Sequence, residues 1–149
     1  MNISQKGIEL IKNFEGFSER PYRCPAGKMT IGYGHVVKVG ERYNAPLTVA
    51  DADRILHNDV KITEATIKKV VCVPLTQGKF DALVSLVFNW GGINFLRSQG
   101  LKQLNSGAYQ LAAEEFFSKE KGVVKVSGTV MPGLVKRRQA EWDLWNDKA

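Results

Sequence analysis

The sequence has 149 residues, which is long enough for one domain with a sizeable hydrophobic core. Its 44% hydrophobic and 24% charged residues are typical of a soluble globular protein and exclude a disordered or collagen-like chain. A net charge of +6 predicts attraction to polyanions, whether nucleic acid, anionic lipid or anionic cell-wall polymer. Two cysteines exclude a disulfide framework and fit a reducing compartment.

The first predicted element is a short helix with Ser4 as its N-cap and Gly16 as its stop signal. Its apolar stripe recurs at three-residue steps, at Ile8, Ile11 and Phe14. Glu15 would lie at the C-terminal end, where the helix dipole and partial burial both raise the pKa of a carboxyl group. A carboxyl group that stays protonated can act as a general acid. Considered alone, however, such a glutamate is more simply explained as a surface side chain.

Residues 16–40 are rich in proline and glycine and are predicted to form turns and short strands. Residues 29–37 alternate as a strand does, which would place Thr30, Gly32 and Gly34 on one face, open to a ligand. We expect His35, on the opposite face, to form an ion pair with Asp59 that serves stability more than chemistry.

From Thr48 onwards the pattern is helical. Helices are predicted from Thr48 towards Val70, from Thr76 to the glycines at 91–92, and over 94–105, 108–119 and 132–145. Residues 122–131 are predicted to form a loop or a ragged strand pair. This order predicts a single α+β domain over 1–149, with a small N-terminal β-lobe packed against a larger helical lobe and a cleft between them.

Several other side chains have two interpretations. Asn89 lies at a helix end and either lines the cleft or caps backbone. The basic group 136–138 is either a solvated helix face or an anion-binding group. Cys72 lies in an apolar run and is predicted to be in the core. So are the three tryptophans, which more often pack in cores than serve as sugar platforms, at Trp90, Trp142 and Trp145.

Glu15, Cys24 and Thr30 are separated by eight and five residues. This spacing resembles that of the phage-type lysozymes, the endolysins of tailed bacteriophages, in which the middle position is Asp or Cys. Four further segments resemble the family in the expected order: TIGYGH at 30–35, VPLTQ at 73–77, FNWG at 88–91 and GLVKRR at 133–138. Each segment alone is a weak signal, but together they span nearly the whole chain.

The resemblance implies a lysozyme-like fold and a muramidase that cuts the β-1,4 bond between N-acetylmuramic acid and N-acetylglucosamine. It implies Glu15 as general acid, Cys24 as nucleophile or base, and Thr30 as the residue that orients water. Together with the residue patterns, it makes four further positions predicted substrate contacts: Gly32, Asn89, Arg137 and Arg138. No metal or cofactor is expected.

The N-terminus opens no apolar run, so neither a signal peptide nor a membrane-inserted segment is expected. The chain would then be made in the host cytoplasm and need a holin-type factor to reach the periplasmic cell wall. We expect it to act as a monomer on peptidoglycan.

Cys24 is the open question of this site, since only a thiolate works as a base or nucleophile. The nearby Arg20, Arg23 and Lys28 could lower its pKa, whereas the alternative is a small packed residue. Without a carboxylate at this position, a lytic transglycosylase that needs only the acid is a second possibility. A basic nucleic-acid-binding domain is a distant third, because no cluster of basic and aromatic residues supports it. A Cys24–His35 peptidase lacks any supporting nucleophile context.

Overall fold

The computed structural model describes residues 1–148, which divide into two compact units. Residues 9–62 form the first, called here the sheet unit. Residues 1–8 and 63–148 form the second, called here the helical unit. Both boundaries fall within helices. The helices of the described chain are α1 (Gln5–Glu15), α2 (Val49–Val70), α3 (Gln77–Trp90), α4 (Gly92–Leu96), α5 (Gln99–Asn105), α6 (Tyr109–Phe117) and α7 (Pro132–Trp145). The strands are β1 (Ser18–Arg23), β2 (Met29–Gly32), β3 (His35–Val36), β4 (Lys125–Val126) and β5 (Thr129–Val130).

The sheet unit contains a three-stranded antiparallel sheet in the order β1-β2-β3. Tyr22 of β1 lies opposite Thr30 of β2, and the register of this pair shifts between Ser18 and Tyr22. Ile31 of β2 is fully buried and packs with Leu47 and Ala52 in a small core. The combination of this sheet with the helices confirms the predicted α+β class.

The single strand predicted over 29–37 is wrong, because a turn at positions 33–34 divides it into β2 and β3. Gly32 and Gly34 have φ angles of 65° and 75°, in the left-handed region that glycine tolerates best. The chain therefore reverses instead of continuing the alternation. As a result, Gly34 does not share a strand face with Thr30.

The predicted starts of α1, α2 and α3 are explained by their capping hydroxyls. Ser4 Oγ accepts a hydrogen bond from the Gly7 N–H at 3.3 Å, and Thr48 Oγ1 accepts one from the Asp51 N–H at 3.1 Å. Thr76 Oγ1 does the same for the Lys79 N–H at 3.2 Å. These bonds satisfy backbone donors that a helix start otherwise leaves without a partner.

The core of the helical unit forms around α3, which is buried along most of its length and packs against α7. An aromatic chain runs from Phe95 through Phe116 and Phe117 to Trp145. Trp145 is thus in the core, as predicted. Trp142 is only partly buried, and Trp90, also partly buried, lines a cavity of about 450 Å³ within this unit.

Three other details of the helical unit differ from expectation or refine it. The helix predicted over 94–105 is two helices, because Ser98 Oγ caps a new start by accepting from the Leu101 N–H at 3.1 Å. The stretch 122–131 contains the β4–β5 hairpin, so the strand-pair alternative is the correct one. Cys72 is exposed after the end of α2, and its prediction as a core residue is wrong. No helix within residues 1–148 is both long and apolar enough to cross a membrane.

Candidate active site

Glu15 is the last residue of α1, and its partly buried side chain is directed at the turn between β2 and β3. Gly16 ends the helix with a φ of 70°. A Cβ atom added to Gly34 would overlap Glu15 Oε1 and lie 2.8 Å from Glu15 Cδ. The carboxyl group therefore rests directly against the Gly34 backbone. Any larger residue at position 34 would displace the acid from this place and would also strain the backbone at a φ of 75°, a different reason for glycine from the open ligand face that the sequence suggested.

Cys24 lies in the turn between β1 and β2, beside Thr30. Its backbone N–H donates to the Lys28 carbonyl at 2.9 Å, which extends the β1–β2 ladder by one residue. Thr30 is 3% exposed, and its hydroxyl donates to the same carbonyl at 3.0 Å. The same hydroxyl can instead donate to the Cys24 thiolate, which lies within its hydrogen-bonding reach.

These contacts lower the pKa of the Cys24 thiol. The largest cause is a hydrogen bond from the Lys28 backbone N–H; burial opposes it, and the Thr30 hydroxyl reinforces it. The pKa of Cys24 is therefore lowered by hydrogen bonds to the thiolate, and not by the charges of Arg20, Arg23 and Lys28 that the sequence suggested. The loop supplies backbone donors, which a reading of side-chain types does not reveal.

The three predicted catalytic residues therefore belong to one unit, on adjoining elements of a small sheet and the helix end beside it. Sequence reasoning missed a fourth polar group, Tyr22. Burial raises the pKa of its phenol, and the negative charges of Glu15 and Cys24 raise it further. The available signal was its place two residues before Cys24, which puts both side chains on one face of a strand.

Residues 12–141 match the family described as phage lysozyme. The chain belongs to the phage lysozyme family. It is 43% identical to the endolysin of Acyrthosiphon pisum secondary endosymbiont phage 1 over 95% of each chain. The muramidase domain of SpmX from Asticaccaulis excentricus is 36% identical, with a TM-score of 0.83 and 97% of each chain covered. The endolysin from Escherichia coli O157:H7 phage FAHEc1 is 35% identical, with a TM-score of 0.85 over 100% of this chain and 96% of that one. The fold is therefore lysozyme-like, and the enzyme class is glycoside hydrolase.

In this phage lysozyme, His35 makes the predicted contact with Asp59. His35 is 6% exposed, and its Nδ1 lies 2.7 Å from Asp59 Oδ2. The sequence did not predict the partners of the other ring nitrogen, Glu41 Oε1 and the Tyr43 hydroxyl, each 3.2 Å from Nε2. Both ring nitrogens thus have partners within the sheet unit. This arrangement fits a stabilising role.

The carboxyl group of Glu41 is bound from several sides. The Lys38 backbone N–H donates to it at 2.6 Å, and the Tyr43 hydroxyl donates at 2.9 Å. These donors, the Lys38 N–H first, lower the pKa of Glu41 to about 2. Burial, followed by the neighbouring Glu41, raises the pKa of Tyr43 to about 12.

We expect Glu41 to make stability fall at acidic pH. A carboxyl group whose pKa is depressed on folding stabilises the folded state above its unfolded pKa and loses that contribution as it is protonated. For Glu41 the loss runs from about pH 4.5 down to about pH 2. Urea unfolding at several pH values should show a shallower acid decline in Glu41→Gln than in the wild type. Parallel declines for the two proteins would contradict this role.

Arg137 and Arg138 are buried, which argues against their predicted role as substrate-binding residues. Arg137 is 4% exposed, and Arg138 and Glu141 are 0% exposed. Both guanidinium groups surround the Glu141 carboxylate, with which Ser85 also bonds. On a helix, positions 137 and 138 are four and three residues before 141, so both arginine side chains can reach Glu141. Glu141 in the same helix could have indicated these ion pairs from the sequence, but residues 136–138 were considered only as a basic group.

The two other predicted substrate contacts differ in exposure. Gly32 is buried, and a Cβ there would lie 3.4 Å from side-chain atoms of both Ala52 and Leu47. It therefore faces the small core of the sheet unit, which contradicts its prediction as an open ligand face. Asn89 is exposed near the end of α3, and its contact with substrate stays a prediction.

Proposed function

We propose that this chain is an endolysin that hydrolyses the β-1,4 bond between N-acetylmuramic acid and N-acetylglucosamine in peptidoglycan, with Glu15 as general acid. One observation carries the proposal. Glu15, Cys24 and Thr30 have the spacing of the phage lysozymes, and they lie on adjoining elements of the sheet unit, with Cys24 within hydrogen-bonding reach of the Thr30 hydroxyl. Membership of the glycoside hydrolase class supports the same conclusion.

In the proposed reaction, the Glu15 carboxyl group donates its proton to the glycosidic oxygen as the bond to the anomeric carbon breaks. The charge that develops on the sugar is then met from the other side of the ring. There the Cys24 thiolate either attacks the anomeric carbon or accepts the proton of a water that does so. Thr30 can hold that water through its hydroxyl. The Lys28 N–H and the Thr30 hydroxyl favour the thiolate that either route needs.

Replacing Cys24 with serine should lower the rate of peptidoglycan cleavage by about 100-fold, because an alcohol does not ionise at neutral pH. Cys24→Asp should keep most of the activity, since a carboxylate can accept the proton. Initial rates on purified peptidoglycan would measure both variants, with Cys72→Ser as a matched control for an exposed thiol. Wild-type rates in Cys24→Ser would remove the thiol from the mechanism while leaving Glu15 in place.

Mass spectrometry of the released sugars tests the reaction type. Hydrolysis adds water and leaves a reducing end, whereas a lytic transglycosylase closes the muramic sugar on its own hydroxyl and leaves an anhydro end. The bonds that favour a thiolate at Cys24 support hydrolysis, because the transglycosylase route has no need of a base at that position. Anhydro products would overturn the hydrolytic assignment without affecting Glu15.

The cellular context is also a proposal. We place the chain in the host cytoplasm until a holin-type factor gives it access to the wall, where it acts as a monomer. The net charge of +6 supports binding to an anionic wall through long-range attraction. Lysis assays with and without a co-expressed holin, and sedimentation of the purified chain, would test the two points.

A further inference from the structure

Tyr22 stands in the same cluster as the proposed catalytic residues, although nothing in the mechanism above uses it. It belongs to β1 and lies directly opposite Thr30 of β2. Side chains directly opposite each other in an antiparallel pair project from the same face, as do residues two apart on one strand. The phenol of Tyr22 therefore shares a face with Thr30 and, through the extended ladder, with Cys24.

The phenol is close enough to both proposed catalytic groups to respond to their charge. Burial is the first cause of its raised pKa, and the negative charges of Glu15 and Cys24 are the second and third. Because the pKa of this phenol is raised, it keeps a hydrogen to donate at neutral pH. At 38% exposed, the side chain is also within reach of a polymer in solution.

We propose that Tyr22 is a further catalytic residue. Its hydroxyl would lie between Glu15 and Cys24 and donate a hydrogen bond to the sugar that is cleaved. This inference rests on the function proposed above. A neutral donor suits this place, because a cation there would pair with the Cys24 thiolate and would favour the loss of the proton that Glu15 has to donate. The ring would pack beside the sugar, while the hydroxyl would act on the oxygens near the scissile bond.

The first test is Tyr22→Phe, which removes one oxygen atom and keeps the ring. We expect kcat on peptidoglycan to fall by about tenfold or more, with KM changed by no more than about twofold, as for a bond that strengthens in the transition state. Tyr109→Phe is the matched control. Its hydroxyl belongs to the helical unit and donates to the Pro74 carbonyl at 2.7 Å, so only stability should change.

The second test does not depend on activity. The chain has four tyrosines, and carbon-13 labelling of their rings allows each to be titrated by NMR. We expect Tyr22 to ionise at lower pH in Glu15→Gln than in the wild type, because one of its two negative neighbours is gone. The Tyr109 signal should not shift.

The outcomes separate this inference from the function on which it rests. Peptidoglycan cleavage by the wild type, with a slower Tyr22→Phe and a shifted Tyr22 titration, supports both. If the wild type cleaves peptidoglycan and Tyr22→Phe cleaves it at the same rate, the inference is overturned and the proposed function stands. An unshifted titration in Glu15→Gln removes the proximity that the inference needs. No cleavage by the wild type overturns the proposed function, and the substrate contact with it.

Discussion

Replacing Glu15 with glutamine is expected to lower kcat for peptidoglycan cleavage by about 100- to 10,000-fold, the range that a positioned general acid contributes. The amide has the same size as the carboxyl group and can occupy the same place against Gly34. Its N–H groups are far too weakly acidic to transfer a proton to the leaving oxygen at neutral pH. The glycosidic bond would then have to break without protonation, and the barrier would rise accordingly.

The measurement is the release of reducing ends from purified peptidoglycan, with thermal unfolding of each variant to show that the fold is retained. Glu19→Gln is the matched control, because it makes the same chemical change at an exposed position of β1 in the same unit. It should leave the rate near that of the wild type. If Glu15→Gln digests peptidoglycan as fast as Glu19→Gln does, Glu15 is not the acid.

The largest loss of stability is expected from Glu141→Ala in α7. Glu141 Oε2 accepts from Ser85 Oγ at 2.5 Å and from Arg138 Nη2 at 3.1 Å. Arg138 Nε lies 2.7 Å from the other oxygen, in an ion pair whose geometry is not that of a hydrogen bond. Removing the carboxylate leaves guanidinium charge buried without its partner. Breaking a buried pair in this way costs about 3–5 kcal/mol.

Urea unfolding at pH 7 would measure this cost as a change in the free energy of unfolding. Arg54→Ala is a suitable control, because the Arg54–Asp51 ion pair at 2.8 Å is exposed and should matter far less. Equal losses in the two variants would show that burial does not set the cost. The activity of the folded fraction of Glu141→Ala should stay close to the wild-type value, since none of the proposed catalytic residues is in this network.

Much of the helical part of the fold is predictable from local sequence. The starts of α2 and α3 follow from Thr48 and Thr76, whose hydroxyls cap the backbone regardless of what the helix later packs against. The start of α7 follows from a proline at its first position. The predicted helix boundaries were wrong where a capping residue lies inside an apolar stripe, as Ser98 does. The apolar periodicity continues across this position, whereas the Ser98 cap starts a new helix. The assignment of residues 1–149 to a single domain stays a prediction.

The candidate site was less predictable than the helices. Residue spacing and family resemblance indicated Glu15, Cys24 and Thr30, but the contacts that explain their chemistry are visible only in the structure. Cys24 receives its main hydrogen bond from a backbone N–H, a group that every residue but proline carries and that no sequence pattern marks. The need for a small residue at position 34 follows from the Glu15 side chain, which rests against Gly34 in the folded chain.

By itself, the sequence determined which residue types are available, the family spacing of Glu15, Cys24 and Thr30, and the capped starts of helices, because these depend on neighbours close along the chain. Only the tertiary structure decided which polar groups meet and which are removed from solvent. From its residue type Arg138 is expected to be exposed, yet in the fold it is a fully buried ion. Tyr22 is an ordinary strand residue in the sequence, and only the fold brings it close to Glu15 and Cys24. Charge acts through space and burial depends on the whole chain, so these roles emerge only when distant segments pack together.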